Sequence, residues 1–121
     1  MHNMTTVLIV DDDKFLHKVL ERILSIGGHE VVGHAYNGEE AIELYIKMNP
    51  HPGIILMDHR MPVMKGTIAT RELLKINPEA KIFFISADDA IKDEAIEAGA
   101  IGFLTKPIRS KDLFEILKDY E

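Results

Sequence analysis

The chain has 121 residues, a formal net charge of −6, 46% hydrophobic residues and no cysteine. Its length is typical of one domain, which we place at residues 1–121. The negative charge argues against a nucleic-acid-binding protein, and the lack of cysteine excludes disulfides and thiolate metal sites. The opening residues, MHNMTT, are too polar for a signal peptide, and no apolar run approaches the roughly 20 residues of a membrane span. We therefore expect a cytoplasmic protein that binds neither nucleic acid nor membranes directly.

Four short apolar runs predict the buried strands of a parallel sheet. Each is too short for a helix and rich in branched or aromatic residues, as is typical of strands that are covered on both faces. They are VLIV at 7–10, IILM at 54–57, IFFI at 82–85 and IGFL at 101–104. A fifth run, EVVGHA at 30–35, is more polar, which indicates an edge strand.

Amphipathic stretches follow each of these runs and predict five helices. Their apolar residues repeat at helical spacing from Phe15, Ala41, Ile68, Ile91 and Leu113 onward. The predicted helix boundaries are Gly27-Gly28, a capping box of Asn37 with Glu40, Asn77-Pro78, Gly99 and Ser110. This strict alternation of strand and helix predicts one α/β domain with a doubly wound parallel sheet, right-handed crossovers and helices on both faces.

Polar side chains follow the apolar runs where the strands should end. Asp11, Asp12 and Asp13 follow the first run and Asp58 the second, with Ser86 after the third and Thr105 and Lys106 after the fourth. Ligands of such sheets bind outside the carboxyl ends of the strands, so we expect these groups to converge. Clustered carboxylates raise one another's pKa unless a cation neutralises them, and Mg²⁺ prefers such oxygen ligands.

Four motifs in the same positions resemble the receiver domain of two-component response regulators, in particular the chemotaxis regulators. They are the acidic run at 11–13, MDHRMPVMKG at 57–66, ISA at 85–87 and LTKP at 104–107. The resemblance covers essentially the whole chain. It implies a flavodoxin-like (βα)5 fold with strand order 2-1-3-4-5, and a cis peptide bond between Lys106 and Pro107.

The resemblance also implies a role for each residue of the rim. Asp58 would accept a phosphoryl group, and Asp11 and Asp12, with Asp58 and the backbone carbonyl of Arg60, would hold Mg²⁺, for which Mn²⁺ could substitute. Asp12 is the expected direct ligand. Lys106 would face the phosphoryl group, and Ser86 and Phe103 would form the switch. From the residues alone, Asp13 is expected to cap the first helix.

The same resemblance implies the binding partners of the chain and the residues that affect the lifetime of its phosphorylated state. A histidine kinase or a histidine phosphotransfer protein would supply the phosphoryl group, and an output partner or a second copy would bind the fourth helix, fifth strand and fifth helix. Arg60 and Asp88 occupy positions that vary among receivers, two residues after Asp58 and two after Ser86. Lys65 stands where many receivers have an acid. We expect all three residues to modulate the lifetime of the phosphorylated state. The chain is either a single-domain regulator or the receiver of a longer protein.

Two other functions are compatible with parts of the sequence. IVDDDK also fits the Asp-x-Asp strand end of a haloacid-dehalogenase-like phosphatase. That family needs acids on a further strand after its lysine, whereas Asp112, Glu115 and Asp119, which follow Lys106, lie in a predicted helix. The second alternative is a receiver-like scaffold that is never phosphorylated.

The six histidines have no spacing typical of metal ligands. His29 and His34 bracket a predicted strand, and His17 lies in an amphipathic helix. His2 and His51 lie in segments that we expect to be flexible. His59 is expected only to line the rim.

Overall fold

A computed structural model describes residues 5–120. Five strands alternate with five helices, as the sequence predicts. The strands are β1 Thr6–Val10, β2 Glu30–Ala35, β3 Ile54–Asp58, β4 Ile82–Ser86 and β5 Gly102–Thr105. The helices are α1 Lys14–Ile26, α2 Gly38–Lys47, α3 Gly66–Ile76, α4 Lys92–Ala98 and α5 Ser110–Leu117, with 3₁₀ turns at Asp89–Ile91 and Lys118–Tyr120. No helix in the described range is long and apolar enough to cross a membrane.

All five strands are parallel and lie in the order β2-β1-β3-β4-β5. The predicted flavodoxin-like fold and its strand order are therefore confirmed. β1 and β3 are direct neighbours, with Val10 opposite Met57. Ser86 at the end of β4 lies opposite Thr105 at the end of β5. The carboxyl ends of these four strands thus form one continuous rim.

Alternating side chains of the sheet enter two separate cores. One core joins Val7, Ile9, Leu56 and Ile85 to α1 and α5. The other joins Leu8, Val10, Met57 and Phe84 to α2, α3 and α4. Helices therefore cover both faces of the sheet, and the predicted doubly wound arrangement is confirmed.

The two edges of the sheet differ in how well the sequence predicts them. β2 is an edge strand, as expected from its polar residues. The prediction that IGFL forms a strand buried on both faces is wrong: Ile101 precedes β5 and is 43% exposed, and Gly102 and Phe103 are half-buried. β5 pairs with β4 alone and is therefore also an edge strand. The prediction failed because an apolar run does not show how many neighbours its strand will have.

The predicted helix boundaries are largely confirmed. Asp13 caps α1, accepting hydrogen bonds from the backbone N–H groups of Phe15 and Leu16. Asn37 accepts from the Glu40 N–H, while the Glu40 carboxylate accepts from the N–H of Tyr36, one residue earlier than in the usual capping box. The remaining boundaries also agree: α1 ends before Gly27, α3 before Asn77 and α4 before Gly99, and α5 begins at Ser110.

Some apolar residues that mark the helical repeats face solvent rather than the core. Phe15 is 73% exposed, Val19 37% and Ile68 47%. On α1 the buried stripe contains Leu20 and Leu24, and Phe15 and Val19 lie one position away from it. A helix that packs on a sheet buries one stripe of its surface, so apolar residues beside that stripe stay exposed.

Candidate functional site

The predicted polar side chains converge at the carboxyl ends of the central strands. They surround an open cavity of about 470 Å³, lined by Asp11, Asp12, Asp13, Asp58, Arg60, Ser86, Ala87, Asp88 and Lys106. Carboxylate oxygens of Asp11, Asp12 and Asp58 lie within 4.8 Å of one another. Adjacent strands bring these acids together, because Asp11 directly follows β1 and Asp58 ends β3. Asp11 and Asp58 are buried, whereas Asp12 is exposed toward the cavity opening.

Lys106 reaches this cluster from the loop after β5. Its Nζ donates to Asp11 Oδ2 at 2.8 Å and to Asp58 Oδ1 at 3.4 Å. The Lys106-Pro107 peptide bond is cis, as the family resemblance implies. Burial alone would lower the pKa of Lys106, but its bonds to the two carboxylates outweigh burial and raise that pKa. Lys106 therefore stays an ammonium group.

The surroundings of Asp58 destabilise the ionised form of its carboxyl group. Burial, followed by the nearby charge of Asp11, raises its pKa from 3.8 to about 6, although Lys106 and the backbone N–H of His59 act in the opposite direction. The single ammonium of Lys106 is shared with Asp11 and does not balance three acids. A further positive charge would stabilise the ionised form of Asp58.

The loop between β3 and α3 is packed tightly against Asp58. The N–H of Gly66 donates to the His59 carbonyl at 3.0 Å, and a Cβ at Gly66 would overlap the Asp58 carbonyl oxygen. Between them, Met64 donates to the Pro62 carbonyl at 2.8 Å across Val63, whose φ is +74°. A positive φ at a β-branched residue is strained, so this γ-turn is held by its surroundings.

The cavity is also lined by Ser86, Arg60 and Asp88. Ser86 is buried, and its hydroxyl oxygen accepts the N–H of Asp88 at 3.1 Å. The hydroxyl hydrogen remains available to a ligand in the cavity. Arg60 Nη2 lies 3.3 Å from Asp88 Oδ2, so the two residues predicted to flank the site form an exposed ion pair.

Phe103 and Thr105 lie beside this cavity on β5. Phe103 is half-buried and packs against the core that includes Ile91 and Phe84. The Thr105 hydroxyl donates to Asp89 Oδ1 at 2.8 Å, which ties the end of β5 to the 3₁₀ turn before α4. The sequence placed Thr105 at the rim but did not identify its partner.

Two histidines beside the rim were also missed. His17 is buried, with its Nε2 2.7 Å from the Asp11 carbonyl oxygen and its Nδ1 2.8 Å from Nδ1 of His34. The sequence signal was weak, because amphipathic spacing places His17 on a helix without showing which strand residue it meets.

Two further histidines lie away from the rim or outside the described residues. His51, expected in a flexible segment, stacks on the Tyr45 ring with centroids 4.0 Å apart, and His2 lies outside the described residues.

The donor set fits a hard divalent cation. Three carboxylates with oxygens within 4.8 Å provide the ligand type that Mg²⁺ prefers, and the open cavity leaves room for water and phosphate oxygens. Burial and the charge of Asp11 raise the pKa of Asp58, so a bound cation would stabilise its ionised form.

Comparison with known proteins identifies the family. The family model described as the response regulator receiver domain matches residues 7–118. The chain belongs to the response regulator receiver domains. It is thus a two-component signalling domain of the CheY type, and the family match favours this function over the phosphatase alternative.

Individual relatives agree with this assignment. The receiver is 44% identical over 113 residues to the chemotaxis protein CheY of Thermotoga maritima, with 92% of each chain covered. It is similar to a chain of the CheX–CheY–BeF3–Mg²⁺ complex from Borrelia burgdorferi, with a TM-score of 0.89, 28% identity, and coverage of 97% of the receiver and 90% of that chain. It is also similar to the receiver domain of the sensor histidine kinase PA1611 from Pseudomonas aeruginosa PAO1, which has magnesium coordinated in its active-site cleft; the TM-score is 0.86, the identity 26% and the coverage 98% of each chain.

Proposed function

We propose that this receiver takes a phosphoryl group onto Asp58 from a phosphohistidine donor and thereby changes its output face. The main support is the position of Asp58, which lies at the end of a central strand within reach of Lys106 and of the acid pair. Such a carboxylate is a nucleophile for phosphorus. The aspartate oxygen forms the new bond to phosphorus while the bond from phosphorus to the donor nitrogen breaks, leaving an acyl phosphate.

The surrounding residues have complementary tasks. Lys106, already bonded to Asp58, would move its charge onto the phosphoryl oxygens as they approach. The Ser86 hydroxyl would donate its hydrogen to one of those oxygens, because its acceptor side already bonds Asp88. Both groups act by electrostatics and position, which is what phosphoryl transfer requires.

Asp11, Asp12 and Asp58, together with the backbone carbonyl of Arg60, would hold Mg²⁺. When bound, the cation supplies positive charge that neutralises the phosphoryl oxygens during transfer. Asp12 is the expected direct ligand, since it is exposed to the cavity while Asp11 already bonds Lys106. Mn²⁺ should substitute, because it also prefers carboxylate, carbonyl and water ligands.

The partners that suit this chemistry are a histidine kinase or a histidine phosphotransfer protein as donor. The output face would consist of α4, β5 and α5, where a partner or a second copy binds. Support for this surface comes from its exposed charges, Lys92, Glu94, Glu97, Lys111 and Glu115. This surface includes Phe103 and Thr105 of β5. Thr105 lies opposite Ser86 in the sheet and hydrogen-bonds Asp89, so it connects the surface to the cavity.

We infer that the chain is not a turnover enzyme and only assists its own phosphorylation and dephosphorylation. Mass spectrometry after incubation with acetyl phosphate and Mg²⁺ tests this. A receiver gains one phosphoryl group and keeps it long enough to be detected. Repeated hydrolysis of phosphate esters would instead indicate the phosphatase, and no added mass with no turnover would indicate the scaffold.

Substitutions locate the phosphoryl group within the same experiment. Asp58→Asn should gain no mass, whereas Asp119→Asn, in the C-terminal 3₁₀ turn, should gain as much as the unmodified chain. Undiminished phosphorylation of Asp58→Asn would overturn the assignment of the acceptor.

A further inference from the structure

His17 contacts the main chain of the acidic rim from outside the cavity. Its side chain lies on α1 and is 2% exposed, and Nε2 is 2.7 Å from the carbonyl oxygen of Asp11. A carbonyl oxygen can only accept, so Nε2 must carry a hydrogen and donate it. The contact therefore defines one of the two nitrogen atoms of the ring.

The other ring nitrogen of His17 meets a second histidine. Its Nδ1 lies 2.8 Å from Nδ1 of His34 on β2, and at this distance one nitrogen carries a hydrogen while the other is bare. The two rings therefore share a single hydrogen between their Nδ1 atoms.

Neighbouring groups hold both rings in place. The Tyr36 ring packs against His17 with centroids 4.5 Å apart, and His34 Nε2 lies 3.4 Å from Glu21 Oε2. Glu21, His34, His17 and the Asp11 carbonyl thus form a continuous chain of polar contacts. Rotation of the His17 ring would break two hydrogen bonds in a buried position.

The Asp11 carbonyl matters because it belongs to the peptide group that joins Asp11 to Asp12. The N–H of Asp11 donates to Ala35 at 3.1 Å, and its carboxylate accepts from the Asp13 N–H and from Lys106. The bond from His17 adds a fixed direction for the carbonyl. Since a peptide group is planar, fixing its oxygen also fixes where the Asp12 backbone begins.

We propose that His17, oriented by His34, is a positioning residue for the cation site, where it holds the Asp11–Asp12 peptide group so that both carboxylates face one ion. This inference rests on the proposed function, in which Asp11 and Asp12 hold Mg²⁺. Groups that orient metal ligands typically change metal affinity about 10- to 100-fold when they are removed.

The test compares Mg²⁺ affinities in the unphosphorylated chain, measured from amide chemical shifts during a Mg²⁺ titration. His17→Leu keeps the apolar volume but removes the donor, and it should weaken Mg²⁺ binding about 10-fold or more. His17→Gln retains an N–H donor at similar reach and should stay within about 3-fold of the unmodified chain. His51→Leu, remote from the rim and stacked on Tyr45, should leave the affinity unchanged.

A spectroscopic measurement on the unmodified chain tests the His17 hydrogen bond without Mg²⁺ and without any variant. Long-range ¹H–¹⁵N spectra of the unmodified chain should show a hydrogen on Nε2 of His17. His34→Ala removes the contact that orients the His17 ring but leaves the Asp11 carbonyl in place, so it should weaken Mg²⁺ binding, though less than His17→Leu does.

The outcomes separate this inference from the proposed function. If the unmodified chain binds Mg²⁺ and His17→Leu binds it equally well, only the positioning role is overturned. A bare Nε2 in the unmodified chain, or equal losses in the folded Leu and Gln variants, would overturn it as well. Failure of the unmodified chain to bind Mg²⁺ would overturn the proposed cation site and the positioning role together.

Discussion

Lys106 Nζ lies 3.4 Å from Asp58 Oδ1, which is 0.6 Å longer than its bond to the neighbouring carboxylate of Asp11 at 2.8 Å. The ammonium group is thus in contact with the proposed phosphoacceptor but bonded more closely to another acid. Burial and the charge of Asp11 therefore raise the pKa of Asp58 to about 6 despite a cation at its side.

The first prediction concerns the stability of the metal-free chain as a function of pH. The folded pKa of Asp58 lies above the unfolded value of 3.8, so the folded chain retains a proton between about pH 4 and pH 6 that the unfolded chain has released. Stability from this group is therefore present at low pH and lost as pH rises through about 6. Asp58→Asn should raise the free energy of unfolding near pH 7.5 by about 1 to 2 kcal/mol, below the full linkage value of about 3 because water reaches the cavity.

Urea unfolding with a chelator present measures this difference. The gain from Asp58→Asn should shrink toward zero near pH 4, where the folded chain holds Asp58 neutral. A gain of the same size at both pH values would contradict the electrostatic origin.

The second prediction separates two adjacent acids. Asp12 contributes an oxygen to the acidic cluster, whereas Asp13 caps α1. Asp12→Ala should weaken Mg²⁺ binding at least about 10-fold and suppress phosphorylation by acetyl phosphate. Asp13→Ala should lower the free energy of unfolding by about 1 kcal/mol and leave phosphorylation nearly unchanged. Equal losses of phosphorylation in the two folded variants would contradict this division.

The third prediction concerns the close approach of Gly66 to the Asp58 main chain. A methyl group at Gly66 would overlap the Asp58 carbonyl, so Gly66→Ala should cost about 1 to 3 kcal/mol of stability and shift the amide signals of residues 58–60. Gly53→Ala is the matched control, since its new Cβ would meet its nearest neighbour, the Thr6 carbonyl oxygen, at 3.3 Å. Thermal unfolding that ranks the two variants in the opposite order would rule out this crowding.

The fourth prediction assigns a kinetic role to the Arg60–Asp88 ion pair. Both side chains are exposed and their pairing contributes at most about 1 kcal/mol to stability, so its expected effect is to restrict water at the phosphoryl group. Replacing both residues by alanine should speed dephosphorylation several-fold. The exposed Lys75–Glu72 pair on α3 provides a control in which the decay rate should not change. Identical decay of the phosphorylated forms would reject the shield.

The fifth prediction follows the switch from Ser86 to β5. A beryllofluoride complex should draw the Ser86 hydroxyl toward the cavity and let Phe103 move further into the core, so amide shifts should extend through residues 87–120. In Ser86→Ala the shifts should stay near Asp58, because the hydroxyl that links them is gone. Shifts that propagate fully in Ser86→Ala would show that another group carries the signal.

The convergence of Asp11, Asp58 and Lys106 could be predicted from the sequence because parallel strands present their carboxyl ends at one rim. The cap formed by Asp13 could be predicted because it depends on neighbouring residues alone. The exposure of Ile101 could not be predicted from its apolar run, which does not reveal how many neighbours the strand will have; only the strand order implied by the family resemblance places β5 at an edge.

The contact between His17 and His34 could not be predicted for a related reason. It depends on how α1 lies across β1 and β2, and hence on packing between residues 17 positions apart. The partner of Thr105 depends likewise on where the turn before α4 meets β5.

The strand order places the acidic groups and the proposed output face in different parts of one sheet. Asp11 and Asp58 follow the neighbouring strands β1 and β3, each of which has a partner on both sides, whereas Phe103 and Thr105 lie on the edge strand β5. Substitutions on β5 and α4 can therefore change the proposed output face without changing the spacing of the two acids. Such an architecture would let the proposed output face vary while the two acids keep their positions.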